Sequence, residues 1–201
     1  MRFEKGHVRL TANSCKGQTG LEARKRMNRA RFGGLIATIF TFFAVAVSAQ
    51  NTDNRVGVHT KWSVFEATPP AQCWSVAKPV DQVNTRNGAK VTVTRSETLL
   101  FVSFIPSSGV IGQVSFTGGY PFREGSTVTL DVAGTKFELF TKDEMAWSAS
   151  EQDDKKIVTA MKRGAEAVLT GVSTRGTNTK DTFSLFGFTA AYADAEKRCG
   201  F

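Results

Sequence analysis

Catalysis and metal binding near neutral pH draw first on histidine, cysteine and facing carboxylates, and this chain of 201 residues holds two histidines and three cysteines. Beyond residue 49 the only histidine is His59, and Cys73 and Cys199 lie too far apart to form a local zinc pair. A hydrolytic triad would leave His59 as a lone general base in a polar segment that reads as a tether. Gly171-Val172-Ser173-Thr174-Arg175-Gly176 resembles a nucleophile elbow but lacks the glycine two residues after the serine. The acids are scattered and single out no pair for glycoside chemistry. No GxxxxGK[ST] loop occurs, and Gly118-Gly119 runs into Tyr120-Pro121 instead of a helix. These observations predict a protein without catalytic residues, metal or cofactor.

Charge narrows the partners. Residues 1–49 hold nine Lys or Arg against two acids, so the rest of the chain keeps seventeen of the 26 basic residues against sixteen of the 18 acidic ones. The high pI of 9.6 therefore belongs to the leader. A nucleic-acid binder carries its excess charge on the folded domain, so nucleic acid is excluded as a partner. Phe32 to Val47 is sixteen residues without a charge, preceded by Arg24, Lys25, Arg26, Arg29 and Arg31 and followed by Ser48-Ala49. That pattern is a signal peptide over residues 27–49, cleaved after Ala49. It is short of the roughly 20 apolar residues a permanent span needs. Met27 makes a compact start, which leaves residues 1–26, with Cys15, as an over-extended beginning.

The elements that position everything else lie beyond the leader. About 150 residues remain, enough to bury about 70% of the unfolded chain's surface in one domain. Residues 50–60 are polar and read as a flexible segment, and 61–201 as one domain. Export to an oxidising compartment predicts that Cys73 and Cys199 pair, the alternative being two separate buried thiols. Short runs rich in β-branched and aromatic residues recur between turn signals. They are Trp62–Phe65, Gln72–Ala77, a stretch through Val91, Val93, Leu99, Phe101, Phe104 and Ile105, Val110–Phe116, Thr127–Val132, Lys136–Phe140, Ala167–Ser173 and Asp181–Phe186. Ala133-Gly134 joins two of them as a hairpin. Asp153–Arg163 and Gly187–Cys199 have helical spacing. The fold class is therefore mainly β, a β-sandwich with one or two short helices.

Lys155, Lys156, Lys162 and Arg163 on the first helix, with Arg175 and Lys180, are the candidate binding residues for an anionic lipid, a glycan or a partner protein. Nearby Glu144, Glu151, Asp153 and Asp154 cancel much of that field. Arg175 and Asp181 flank a polar turn and are expected to pair across it. Trp62, Trp74 and Trp147 are expected in the core.

The order of Trp62, Cys73-Trp74, Gly119-Tyr120-Pro121-Phe122, Ala146-Trp147, Met161-Lys162-Arg163-Gly164-Ala165, Ser173-Thr174-Arg175-Gly176-Thr177, Asp181 to Ala191 and Cys199 resembles the bacterial invasion-associated locus B proteins. The resemblance covers Trp62 to Phe201 and implies an immunoglobulin-like β-sandwich in the envelope or outside the cell. It supplies no catalytic residues. The leading expectation is an exported, periplasmic or secreted, binding module for a protein, glycan or envelope component. The alternatives are a small-ligand carrier with a pocket between the sheets or under the helix, and an enzyme acting on an extracellular polymer.

Overall fold

The computed structural model describes residues 54–69 and 71–201. The signal peptide, its cleavage after Ala49 and the start at Met27 lie outside these residues. In chain order the strands are β1 (Arg55–His59), β2 (Trp62–Ala67), β3 (Gln72–Ala77), β4 (Asp81–Arg86), β5 (Ala89–Lys90), β6 (Leu99–Ile105), β7 (Val110–Thr117), β8 (Thr127–Val132), β9 (Thr135–Lys142), β10 (Met145–Trp147), β11 (Glu166–Val172) and β12 (Asn178–Ser184). Helix α1 (Glu151–Arg163) lies between β10 and β11, and α2 (Phe188–Arg198) follows β12.

All strand pairs are antiparallel, in the order β1-β2-β3-β6-β7-β10-β9-β8-β11-β12-β4-β5. The expected sandwich is this one continuous sheet folded over. Phe116 on β7 meets Phe183 on β12 edge to face at 6.1 Å, although four strands separate them in the sheet. Strand alternation explains the core between the two halves: Leu100, Val102 and Phe104 from β6 face Val128, Leu130 and Val132 from β8 and Ala167 and Leu169 from β11, all buried. Burying each large side chain contributes about 1.5–3 kcal/mol.

The turns follow the sequence closely. Ala133 and Gly134 both take positive φ, 50° and 86°, the twist that a two-residue hairpin needs, and Asp131 Oδ1 accepts a bond from the Gly134 N–H at 2.8 Å. Helix α1 starts at Ser150, whose Oγ accepts from the Asp153 N–H at 3.2 Å, and runs from acids in its first turn to Lys162 and Arg163 in its last. Helix α2 packs on the inward side of β2, β3 and β6: Phe188 meets Trp62 at 4.8 Å and Tyr192 meets Phe104 at 5.1 Å. Gly187 opens this helix at φ 92°, and a Cβ there would overlap the His59 carbonyl. Cys199, just past the helix, is bonded to Cys73 with Cα atoms 5.9 Å apart.

Three readings change. Residues 55–59, expected in a flexible segment, form β1, because they pair with β2 and because His59 Nε2 bonds Asp194 Oδ2 of α2 at 2.9 Å. Val91 and Val93 lie in an extended connection outside any strand. The strand before them is the polar run Asp81–Arg86, which turns at Asn87-Gly88, φ 51° and 78°, into β5. Asp181 pairs with Arg95 and not with Arg175, because alternation along β12 turns Asp181 inward while Arg175 stays exposed at the turn.

The Asp194 carboxylate is held below the ordinary carboxylate range, first by the His59 hydrogen bond and then by Arg198, whose Nε lies 2.8 Å away. Its ionisation therefore stabilises the folded chain above that range, and the contribution is lost as pH falls through the lowered folded value. Asp194→Asn is expected to melt earlier than the parent at neutral pH, with the difference closing near about pH 2. Thermal midpoints at the two pH values check this; an equal gap at both would refute the coupling.

Candidate interaction surfaces

The outward side of the sheet divides into two halves of different character. Across β8, β9 and β11 it is polar: Thr127, Thr129 and Glu138 are joined by hydroxyl to carboxylate bonds of 2.6 and 2.9 Å, and Lys136 lies opposite Asp131. That is the usual solvated face of an antiparallel sheet. Across β2, β3, β6, β7, β10 and the Phe140 end of β9 it is aromatic. Phe65 and Trp74 are cross-strand partners with ring planes 4° apart and centroids at 5.7 Å. Two residues along β3, the pairing runs Val76, Phe101, Ser115, Trp147, Phe140 across five strands. Phe140 is 58% exposed, and Phe65, Trp74, Phe101 and Trp147 are half-buried. A depression of about 840 Å³ runs over Phe65, Trp74, Leu99 and Phe101, with Lys61 and Lys78 among its polar lining. The helices pack on the other side of these strands, so no element among the described residues covers this face. Of the three tryptophans expected in the core, Trp62 alone is fully buried.

A polar cleft of about 610 Å³ lies elsewhere, where the Val91–Thr98 connection, the Gly119–Pro121 turn and the Ser173–Thr177 turn converge. Its floor rests on a buried ion pair: Arg95 Nη2 lies 2.8 Å from both oxygens of Asp181, whose side chain is fully buried. Arg95 also donates to the Gly118 carbonyl, Asn84 Oδ1 and Thr98 Oγ1, and Gln82 adds a bond to Asp181 Oδ1 at 3.1 Å. Burial pushes the Asp181 carboxyl up, against the pull of Arg95 and Gln82. The Tyr120 ring packs 5.3 Å from the Arg95 guanidinium, and its hydroxyl bonds Thr179 Oγ1 at 2.6 Å. Burial also raises the Tyr120 phenol. Arg86 Nη2 donates to Thr177 Oγ1 at 2.7 Å, and Arg175 stands on the tip of the turn.

The six basic candidates do not share one surface. Lys155, Lys156 and Arg163 line a groove of about 650 Å³ between α1 and the β8–β9 hairpin, floored by Val132, Phe137 and Ala160. Lys156 is already engaged by Asp153 at 3.0 Å. Lys162 points the other way, 3.9 Å above the Tyr192 ring. Lys180 projects from β12 beside Asp131 and Glu166, and Arg175 belongs to the polar cleft. Asp154 is buried, accepting bonds from the Val114 N–H and the Ser148 hydroxyl at 2.7 and 2.5 Å. Ser173, the serine of the elbow-like motif, is buried too, and its Oγ accepts the Thr177 N–H at 3.1 Å as part of the turn. Among the described residues no three of His, Cys, Asp and Glu form a metal-sized group, and no helix is long and apolar enough to cross a membrane.

Comparison with known proteins gives one family. The profile of the Invasion associated locus B (IalB) protein family matches residues 62–196. Among solved structures, the crystal structure of invasion associated protein b from Bartonella henselae aligns at 14% identity over 69% of this chain and 94% of that one, with a TM-score of 0.48. No curated protein matches the chain.

Proposed function

Since this chain belongs to the invasion associated locus B family, we propose that it is an exported, non-enzymatic binding module of the cell envelope whose open aromatic face docks a protein partner. The observation that carries the reading is the row Phe101, Trp147, Phe140, with the stacked Phe65 and Trp74 beside it, on a sheet face that no element among the described residues covers. A folded chain normally places polar side chains there, as its own β8–β9–β11 half does, and large exposed apolar areas mark interaction sites. Aromatic side chains also dominate the energetics of protein interfaces. The disulfide supports export, because such bonds persist in oxidising compartments. A carrier with its pocket between the sheets is the weaker reading, since Phe116, Phe183, Leu130 and Leu169 fill the space between the halves. As for hydrolysis, His59 has a carboxylate partner in Asp194 but no hydroxyl or thiol bonded to its ring among the described residues.

The test is site-specific photo-crosslinking in the producing cells. A photoreactive residue at Phe140 is expected to give a discrete protein adduct that Trp147→Ser abolishes, while the same probe at Lys180 gives none. Absence of an adduct from Phe140, or the same adducts from both positions, would count decisively against the docking face.

A further inference from the structure

We infer that the polar cleft is a second binding site, one that takes an acidic saccharide unit. It shares no residue with the aromatic face, so it stands or falls separately from the docking proposal. Its two exposed guanidiniums come from different elements: Arg86 ends β4 and Arg175 caps the Ser173–Thr177 turn. Arg86 is held in place by its bond to Thr177, so less side-chain freedom is lost when an anion arrives. Arg95 serves as support for the cleft, because its side chain is buried and it donates to Asp181, Asn84, Thr98 and the Gly118 carbonyl. It fixes the Val91–Thr98 connection against β12 and supports Tyr120, making the cleft preformed.

The lining supplies the rest of the recognition. Thr92, Thr94, Ser96 and Thr174 offer hydroxyls that both donate and accept, which suits a polyhydroxylated ring better than a bare anion. Tyr120 provides an aromatic wall of the kind on which apolar sugar faces pack. Glu144 is the one carboxylate in the lining, set against Arg86 and Arg175, and it disfavours a ligand carrying a dense charge. A volume of about 610 Å³ admits one or two sugar rings. A carboxylate on a sugar meets all three features: one charge for a planar guanidinium, hydroxyls for the Thr and Ser side chains, and a ring for Tyr120.

The test is an amide chemical-shift titration of the protein, in the form the cells produce, with digalacturonate, maltose and inorganic phosphate. Digalacturonate is expected to shift the amides of residues 92–96 and 173–177, and to bind about tenfold or more tighter than maltose or phosphate. Arg86→Ala and Arg175→Ala are each expected to weaken it by about tenfold, with Lys155→Ala without effect. Both arginines are exposed, so unchanged spectra elsewhere confirm folding. Equal binding of maltose would remove the acidic specificity. Equal binding of phosphate would reduce the site to a simple anion contact. Shifts mapping outside the cleft, or indifference to both arginine variants, would overturn the assignment. None of these outcomes alters crosslinking at Phe140.

Discussion

Reducing the Cys73–Cys199 bond is expected to lower the stability of the folded chain by about 4–5 kcal/mol. The bond joins residues 126 apart in sequence, and closing so long a loop removes much of the unfolded chain's entropy. It also ties the end of α2 to β3, next to the Trp62, Phe104, Phe188 and Tyr192 rings. With an unfolding slope of about 2 kcal/mol per molar urea, the midpoint should fall by about 2 M on reduction. Cys73→Ala/Cys199→Ala should fall by as much and no longer respond to reductant. Coincident curves with and without reductant would show that the bridge contributes nothing.

Arg95→Met is expected to destabilise the fold by about 3–5 kcal/mol, because it leaves the Asp181 carboxylate buried without its counter-charge. Arg95→Met/Asp181→Leu is expected to recover much of that loss, since removing both charges leaves nothing to solvate. The single variant should also change its response to pH. With the guanidinium gone, desolvation of Asp181 is opposed only by the Gln82 hydrogen bond and raises the folded value further. A raised carboxyl contributes stability below the ordinary range and loses it as pH rises through the folded value. The Arg95→Met deficit should therefore be smaller at about pH 4 than at about pH 7.5. Urea midpoints for the parent, both singles and the double at the two pH values complete the cycle. Additive losses, or a deficit independent of pH, would mean that the pair is not the element holding the cleft.

The strands with alternating apolar residues were legible because their pattern reports burial directly. Thr127–Val132 is read from sequence with the bounds it has in the structure, since Val128, Leu130 and Val132 must share one face. Helix α1 was legible to within two residues from its acids, its closing glycine and the spacing of Ile157, Val158 and Met161. Strand β4 was not, because DQVNTR sits at the far end of the sheet, where few of its side chains enter the core. Its one local signal is Asn87-Gly88, the dipeptide that two-residue hairpins favour. Strand β1 pairs only with β2 among the described strands, and the bond that ties its end down reaches Asp194 far along the chain, so composition alone made it look like a tether.

Surfaces were harder to read than strands for the same reason. An outward aromatic and an inward one leave the same mark in a run such as LLFVSFI, and only the pairing of β6 with β7 and β3 assigns Phe101 outward and Phe104 inward. The row from Val76 to Phe140 is assembled from five strands that extend in sequence from Val76 to Trp147, beyond the reach of any local pattern. The charged residues prominent in sequence were dispersed by folding: α1 places Lys155 and Lys162 on different sides, and Arg175 is carried to the polar cleft. Arg95, which organises that cleft, lies in a connection whose Val91 and Val93 suggested a strand.

The claim on which the rest depends is that this is an exported module working under oxidising conditions, and fractionation of the producing cell with intact mass on each fraction tests it most directly. The expected result is a periplasmic or released protein beginning at Gln50 and lighter by the two hydrogens of the Cys73 and Cys199 thiols. A cytoplasmic chain that keeps its leader and both thiols would contradict it.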